Sequence, residues 1–370
     1  MKEINIGKKL MEKRRQKGLT QKDLAEYIGV SKASVSKWET NQSYPDITLL
    51  PQLASFFNLT IDDLMGYSPQ MSKEEIKKVY YRFCKDFAEK NFDIVIEEVE
   101  KTIKKYYSCF PLLVQMVALI INHHMLSKSK EQSRCLLNRA VVLCQRVKDE
   151  SEDVFLCKDA IALESVCYLM LNEPENVIKL YGETIMPMDN STEALANAYQ
   201  LMGKVEKAKE TLQISMYQHL IILVEDAVQY MTLNASDKEK FEEILRRTLT
   251  VAETFNLDSL HPNTMAKNYL VAAQLLCSYG EKDRALELLG RYTKTAKAGF
   301  VDYKLGGDDY FDQISNWFDT FNLGNGAPRD QEIIGESIIQ AIESPAFETL
   351  RDKEEYKQMV SCLKEAFEPK

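Results

Sequence analysis

Four histidines, a run of aspartates and eight cysteines are the side chains with the most chemistry to offer in this 370-residue chain. Acid–base or metal chemistry requires such groups to converge within hydrogen-bond or ligand reach. His123 and His124 are neighbours in a helical stretch, where successive side chains point about 100° apart, and His219 and His261 stand alone. Asp308, Asp309 and Asp312, beside Gly306-Gly307, lack the full spacing of a calcium loop and read as a solvated acidic loop. No two cysteines form a C-x-x-C pair, and none precedes Cys84. Cys84, Cys135, Cys144, Cys157, Cys167 and Cys277 fall in apolar helical stretches, where a reduced thiol packs as a small hydrophobe. The aromatic group Phe300, Tyr303, Tyr310, Phe311, Trp317, Phe318 and Phe321 reads as terminal core. Neither an enzyme nor a metal or cofactor site is expected.

Charge points to a different chemistry. The chain carries a net −9, but what attracts phosphate is local charge. Residues 1–67 hold ten Lys/Arg against eight Asp/Glu, leaving −11 for the remainder, and within residues 1–40 the balance is ten against five. A small basic head on a large acidic body suits a DNA reader joined to a module with another task. At 45% hydrophobic and 28% charged the composition is that of a soluble globular protein, and 370 residues imply two or three domains. The longest nearly uninterrupted apolar stretch, Pro111 to Ile121, contains Gln115 and falls short of the ~20 residues that span a bilayer. The opening residues lack an apolar core followed by a small-residue cleavage site, so a cytoplasmic location without a membrane partner is expected.

The elements that must position these groups are helices. Apolar residues recur at three and four, as in Ile76, Val79, Tyr80, Phe83 and Phe87, without sustained alternation. Gly66-Tyr67-Ser68-Pro69-Gln70, followed by a capping box at Ser72 and Glu75, marks a linker at 68–72 between head and body. Breaks at Asn172-Glu173-Pro174, Met186-Pro187-Met188, Gly203, His261-Pro262, Gly280 and Asn322 to Pro328 divide the body into short helices.

In the head, Thr20 caps a helix from about Gln21 to Ile28, Gly29 permits a sharp turn, and Ser31 caps a second helix from Lys32 to about Thr40. Leu24, Ala25, Ile28, Val30, Val35 and Trp38 fall where two crossing helices share a core. Together with Leu19-Thr20-Gln21, Gly29-Val30-Ser31, Trp38-Glu39, Pro45 and Leu53-Ala54, this pattern closely resembles, without a gap over residues 6–67, the five-helix DNA-binding domain of the Cro and lambda-repressor-like XRE family. The resemblance implies that Lys32, Ala33, Ser36 and Lys37 face the major groove, that Gln21 fixes the helix pair to phosphate and also touches a base, and that Ser34 and Asn41 belong to the DNA-binding set. It also implies that backbone N–H groups of Asn41-Gln42-Ser43 meet phosphate, and that Arg14 pairs with Glu39 across the first and third helices. Lys8, Lys9, Lys13, Arg15 and Lys22 read as solvated faces.

In the body, Ala196, Tyr199, Gly203, Ala208 and Leu212 are separated by the same intervals as Ala273, Leu276, Gly280, Ala285 and Leu289, and as Ser165, Tyr168, Asn172, Val177 and Tyr181. The pattern is a small residue where two helices touch, a turn, then another small residue and a large apolar one closing the pair. It resembles a degenerate tetratricopeptide repeat and predicts a right-handed helical superhelix over residues 73–300, closed by capping helices over 301–370. The whole fold is thus expected to be all-α. A head of this type on such repeats resembles the peptide-sensing RRNPP regulators of Gram-positive bacteria. That resemblance implies a transcriptional regulator that binds double-stranded DNA at an inverted-repeat operator as a homodimer and senses a peptide or protein effector. The residue after each small one then faces the concavity, giving Val166, Asn197 and Gln274, with Gln200 and Ser278 nearby. The acidic body suggests a neutral or basic effector. The alternative reading is a body that serves only dimerisation and protein contacts.

Overall fold

The computed structural model describes residues 6–66, 70–183 and 191–367, and among them the only pairing outside helices and turns is an isolated bridge between Lys304 and Gly326. The expected linker at 68–72 lies partly, and the break at Met186-Pro187-Met188 wholly, outside the described residues. None of the described helices is long and apolar enough to cross a membrane.

The head comprises α1 (Ile6–Gln16), α2 (Gln21–Ile28), α3 (Lys32–Glu39), α4 (Leu50–Phe57) and α5 (Ile61–Met65). Thr20 and Asp23 form a capping box before α2, Gly29 takes φ +81°, and Ser31 caps α3. Leu10, Leu24, Val35, Leu53 and Leu64 are fully buried between the five helices. Gly7 lies where α1 crosses the end of α3, and a Cβ there would collide with the Trp38 carbonyl oxygen.

The body divides into two lobes, each with its own core. The first holds α6 (Lys73–Glu89), α7 (Phe92–Lys105), α8 (Phe110–His123), α9 (Lys130–Glu150), α10 (Val154–Leu171) and α11 (Pro174–Tyr181). Helix α8 is apolar almost all round and is its buried centre. The second begins with α12 (Ser191–Leu201), α13 (Val205–Leu233), α14 (Lys238–Thr254) and α15 (Leu257–Leu260). It continues with α16 (Pro262–Ser278), α17 (Lys282–Phe300), α18 (Ser315–Asp319), α19 (Gln331–Ile342) and α20 (Glu354–Phe367).

The three sequence copies share one turn. Asn172, Gly203 and Gly280 take positive φ. The next residue in each case donates its N–H to a carbonyl five positions back: Glu173 to Tyr168 at 2.8 Å, Lys204 to Tyr199 at 2.9 Å, and Glu281 to Leu276 at 2.9 Å. This is the bond that closes a helix ending in a left-handed residue. The copies differ at the closing position: Leu289 is fully buried, whereas Tyr181 is 56% and Leu212 42% exposed. These two lie at the ends of the lobes, where α11 and α12 do not stack as consecutive repeats would. In the body, the most extensive helix packings fall within one lobe or the other.

A strap bridges the seam. Residues 301–330 are not the expected capping helices; apart from α18 they form an irregular segment that returns to α6. Lys73 Nζ donates to the carbonyls of Asp319 and Thr320, Tyr81 Oη to Leu323 O at 2.9 Å, and Tyr80 Oη to Pro328 O at 2.9 Å. Ile333 then inserts into the core of the first lobe. The acidic loop is held rather than simply solvated: Asp308 accepts from the N–H groups of Tyr310 and Phe311, and Asp312 from Gln213. Of the cysteines, Cys84, Cys144 and Cys167 are buried as expected, as is Cys109, but Cys135 is exposed because it lies on the solvent side of α9.

Candidate DNA-reading face and interlobe cavity

A buried ion pair sets the position of α3. Arg14 Nε donates to Glu39 Oε1 at 2.6 Å, Nη2 to Oε2 at 2.9 Å, and Nη1 to Leu19 O at 2.7 Å. Gln21 Nε2 donates to the same carboxylate at 2.9 Å, so α1, α2 and α3 meet at Glu39. Burial pushes the Glu39 carboxyl up, but the hydrogen bonds from Arg14 and Gln21 outweigh it and hold it below its usual range.

Along α3, Lys32, Ala33 and Lys37 are exposed and Ser36 is half-buried. Ser34 belongs to the helix start: its N–H donates to Ser31 Oγ at 3.1 Å and the two hydroxyls lie 2.9 Å apart. Asn41, at φ +56°, ends the helix. The N–H groups of Asn41, Gln42 and Ser43 donate inward, to Trp38 O at 3.1 Å and Lys37 O at 2.9 and 3.4 Å. This turn therefore offers side chains and not the free N–H groups expected of it, because closing α3 uses them first.

In the body, a cavity of about 500 Å³ opens at the seam between the lobes. One wall is a face of α16 running from Asn263 through Lys267 and Leu270 to Gln274. Helix α19 supplies Ile334, Ser337 and Ile338, the strap supplies Pro328 and Arg329, and Asn122 comes from the first lobe. Tyr80 ties two sides together, its hydroxyl accepting from Asn122 Nδ2 at 3.2 Å while donating to Pro328 O. Burial lowers the Arg329 guanidinium from its ordinary pKa, and its hydrogen bond is to Ser337 Oγ at 3.3 Å.

Residues 10–64 match the family model described as helix-turn-helix. The head is a helix-turn-helix domain. The chain is 34% identical over 83 residues to the HTH-type transcriptional activator BcrR of Enterococcus faecalis, a match covering 21% of this chain and 41% of that one. It is 32% identical over 72 residues to the HTH-type transcriptional regulator ImmR of Bacillus subtilis, covering 20% and 57%. The chain thus spans about half the length of these relatives. The crystal structure of Bacillus thuringiensis PlcR in complex with the peptide PapR7 and DNA is similar over 80% of this chain and 95% of that one, at 13% identity and a TM-score of 0.31.

Within the helix-turn-helix domain, the residues singled out from sequence lie together on and beside α3, with Gln21 and Ser34 engaged in internal bonds. The body residues are not brought together. Gln274 lines the cavity, but Asn197 and Gln200 are exposed on α12, Ser278 bonds to Leu275 O at 2.7 Å, and Val166 packs on the first core. Phe300 and Tyr303 line the cavity as well as packing on the second core. Sequence reasoning missed Asn122, Lys267 and Arg329. The spacing of Asn263, Lys267, Leu270 and Gln274 along one helix face was available as a signal; nothing local marks Asn122 or Arg329.

Proposed function

We propose that this protein is a sequence-specific DNA-binding transcriptional regulator that acts as a homodimer and whose body senses a short peptide. The observation that carries the first part is the pairing of solvated Lys32, Ala33 and Lys37 on α3 with the rigid clamp that holds that helix. Two lysines separated by five residues on one short helix suit guanine O6/N7 and phosphate in the major groove, with Ser36 and the Asn41 side chain beside them. Gln21 contributes by orienting Glu39, with its second Nε2–H left to donate to phosphate.

One such helix reads only a few base pairs, so two heads on half-sites about 34 Å apart are needed for a unique address. Apolar residues exposed at the start of α13 and the end of α12, Leu201 at 90% and Met202 at 62% among them, support association through the body. Peptide sensing rests on the resemblance to the RRNPP regulators and on a cavity of the size that ligands occupy. The strap that walls this cavity also docks on α6, the first helix after the linker, so an occupant that prefers one strap position biases the placement of the heads.

The test is selection of full-length protein against a random duplex pool. An enriched inverted repeat is expected; enrichment of no sequence would remove the DNA-reading assignment.

A further inference from the structure

The cavity lining is unlike the rest of the body in its charge. The body is acidic, and its other half-buried arginines have carboxylate partners: Arg139 pairs with Glu100 at 2.9 Å and Arg291 with Glu253 at 2.9 Å. Arg329 and Lys267 both line the cavity, neither forms an ion pair among the described residues, and no Asp or Glu contributes to the lining. A guanidinium presents five donors, and Arg329 has one long bond to a serine hydroxyl. Leaving the half-buried Arg329 without a counter-charge is costly, so such a site favours an anion that completes it, and the exposed Lys267 ammonium adds positive charge beside it. The amides of Asn263 and Gln274 add backbone-type donors and acceptors on the same wall, and Leu270, Ile334 and Ile338 supply apolar surface. Along α16 the lining from Asn263 to Gln274 covers eleven residue steps, about 16 Å of helix rise, which matches about five residues of extended chain.

We propose that the interlobe cavity binds a short, largely apolar peptide through a carboxylate held by Arg329 and Lys267. The inference rests on the peptide-sensing reading and adds the chemistry of recognition. It also reverses the expectation of a neutral or basic effector, because the local lining, and not the −11 of the chain beyond the head, is what the ligand meets. The carboxylate has two possible sources, a peptide C-terminus or an acidic side chain.

The probe is a pentapeptide library of Leu, Val, Phe, Pro, Ser and Asn in three forms: free acid, C-terminal amide, and amide with one Glu. Retention on immobilised full-length protein is read by mass spectrometry, and dissociation constants are measured for the retained sequences. The free acids, the Glu-bearing amides, or both bind at least about tenfold tighter than the plain amides, and which form does so identifies the source. Arg329→Gln and Lys267→Gln each bring this ratio towards one, and Arg329→Lys retains part of it. A ratio is used because a loosened strap weakens all three forms alike. Equal binding of all three forms, or a ratio unchanged in both Gln variants, overturns the carboxylate proposal while leaving peptide sensing intact. Retention of no pentapeptide in any form overturns both.

Discussion

In the head, three polar side chains close on one another, Arg14 and Gln21 meeting Glu39 at 2.6–2.9 Å, whereas in the body Arg329 sits half-buried with only a serine hydroxyl 3.3 Å away. The first arrangement is complete without a ligand: the clamp holds α3 still, and Lys32 and Lys37 on that helix stay solvated. The second is incomplete, with cations and amides aimed into a seam between two separately packed lobes. Internal satisfaction marks groups that position a site, and its absence marks groups that wait for an occupant.

The largest effect should come from opening the clamp. Glu39→Ala leaves Arg14 buried and unpaired, which costs about 3–5 kcal/mol of head stability, measured by urea denaturation through Trp38 fluorescence in a Trp317→Phe background. Adding Arg14→Met should recover most of the loss. If Glu39→Ala alone is nearly neutral, the pair is not the clamp described.

The body supplies the next contrast, through acid. His123 is buried against Phe87, with ring centroids 4.4 Å apart, and burial pushes its pKa down to about 4. The unfolded chain therefore binds a proton between pH 6.5 and 4 that the folded body refuses. Stability is full above pH 6.5 and falls by about 3 kcal/mol from this group as pH drops to 4. Burial moves His124 and His261 in the same direction, adding to the slope. His123→Gln should flatten the pH dependence of the body's unfolding midpoint, and an unchanged slope would place the acid sensitivity elsewhere.

Smaller effects separate reading from folding. Lys32→Ala and Lys37→Ala should each weaken operator binding by about 1–3 kcal/mol and relax base preference, with the head's melting curve unchanged. Gln274→Ala should weaken peptide binding by about 0.5–1.5 kcal/mol, read by calorimetry, while Asn197→Ala leaves it unaltered. Equal losses in both would move the peptide onto the α12 face.

The same contrast explains what could be read from the sequence. Each part of the helix-turn-helix lies within about 30 residues of the others: the caps Thr20 and Ser31, the positive-φ Gly29 and the Arg14–Glu39 spacing all leave local signatures. The missed detail there, the inward N–H groups after α3, depends on the turn made at Asn41. In the body, the repeat spacing identified Asn172, Gly203 and Gly280 as equivalent turns; Gln274, expected on a concave face, lies in the lining of the interlobe cavity. A periodic pattern assumes that every copy packs alike, so it placed Asn197 beside Gln274, whereas Asn197 stays exposed on α12 and only Gln274 reaches the cavity. Asn122 and Arg329 reach the cavity only because the strap returns over 240 residues to α6, as in the bond from Tyr80 to Pro328, and a contact of that kind leaves no mark in local spacing.

The most direct test of the regulator reading is operator affinity of the full-length protein, titrated with and without a saturating cavity peptide. The two dissociation constants should differ by about fivefold or more, with the peptide's own affinity shifted by the same factor when operator is bound. Identical operator affinity in both conditions, with peptide binding established, would contradict a body that regulates the head.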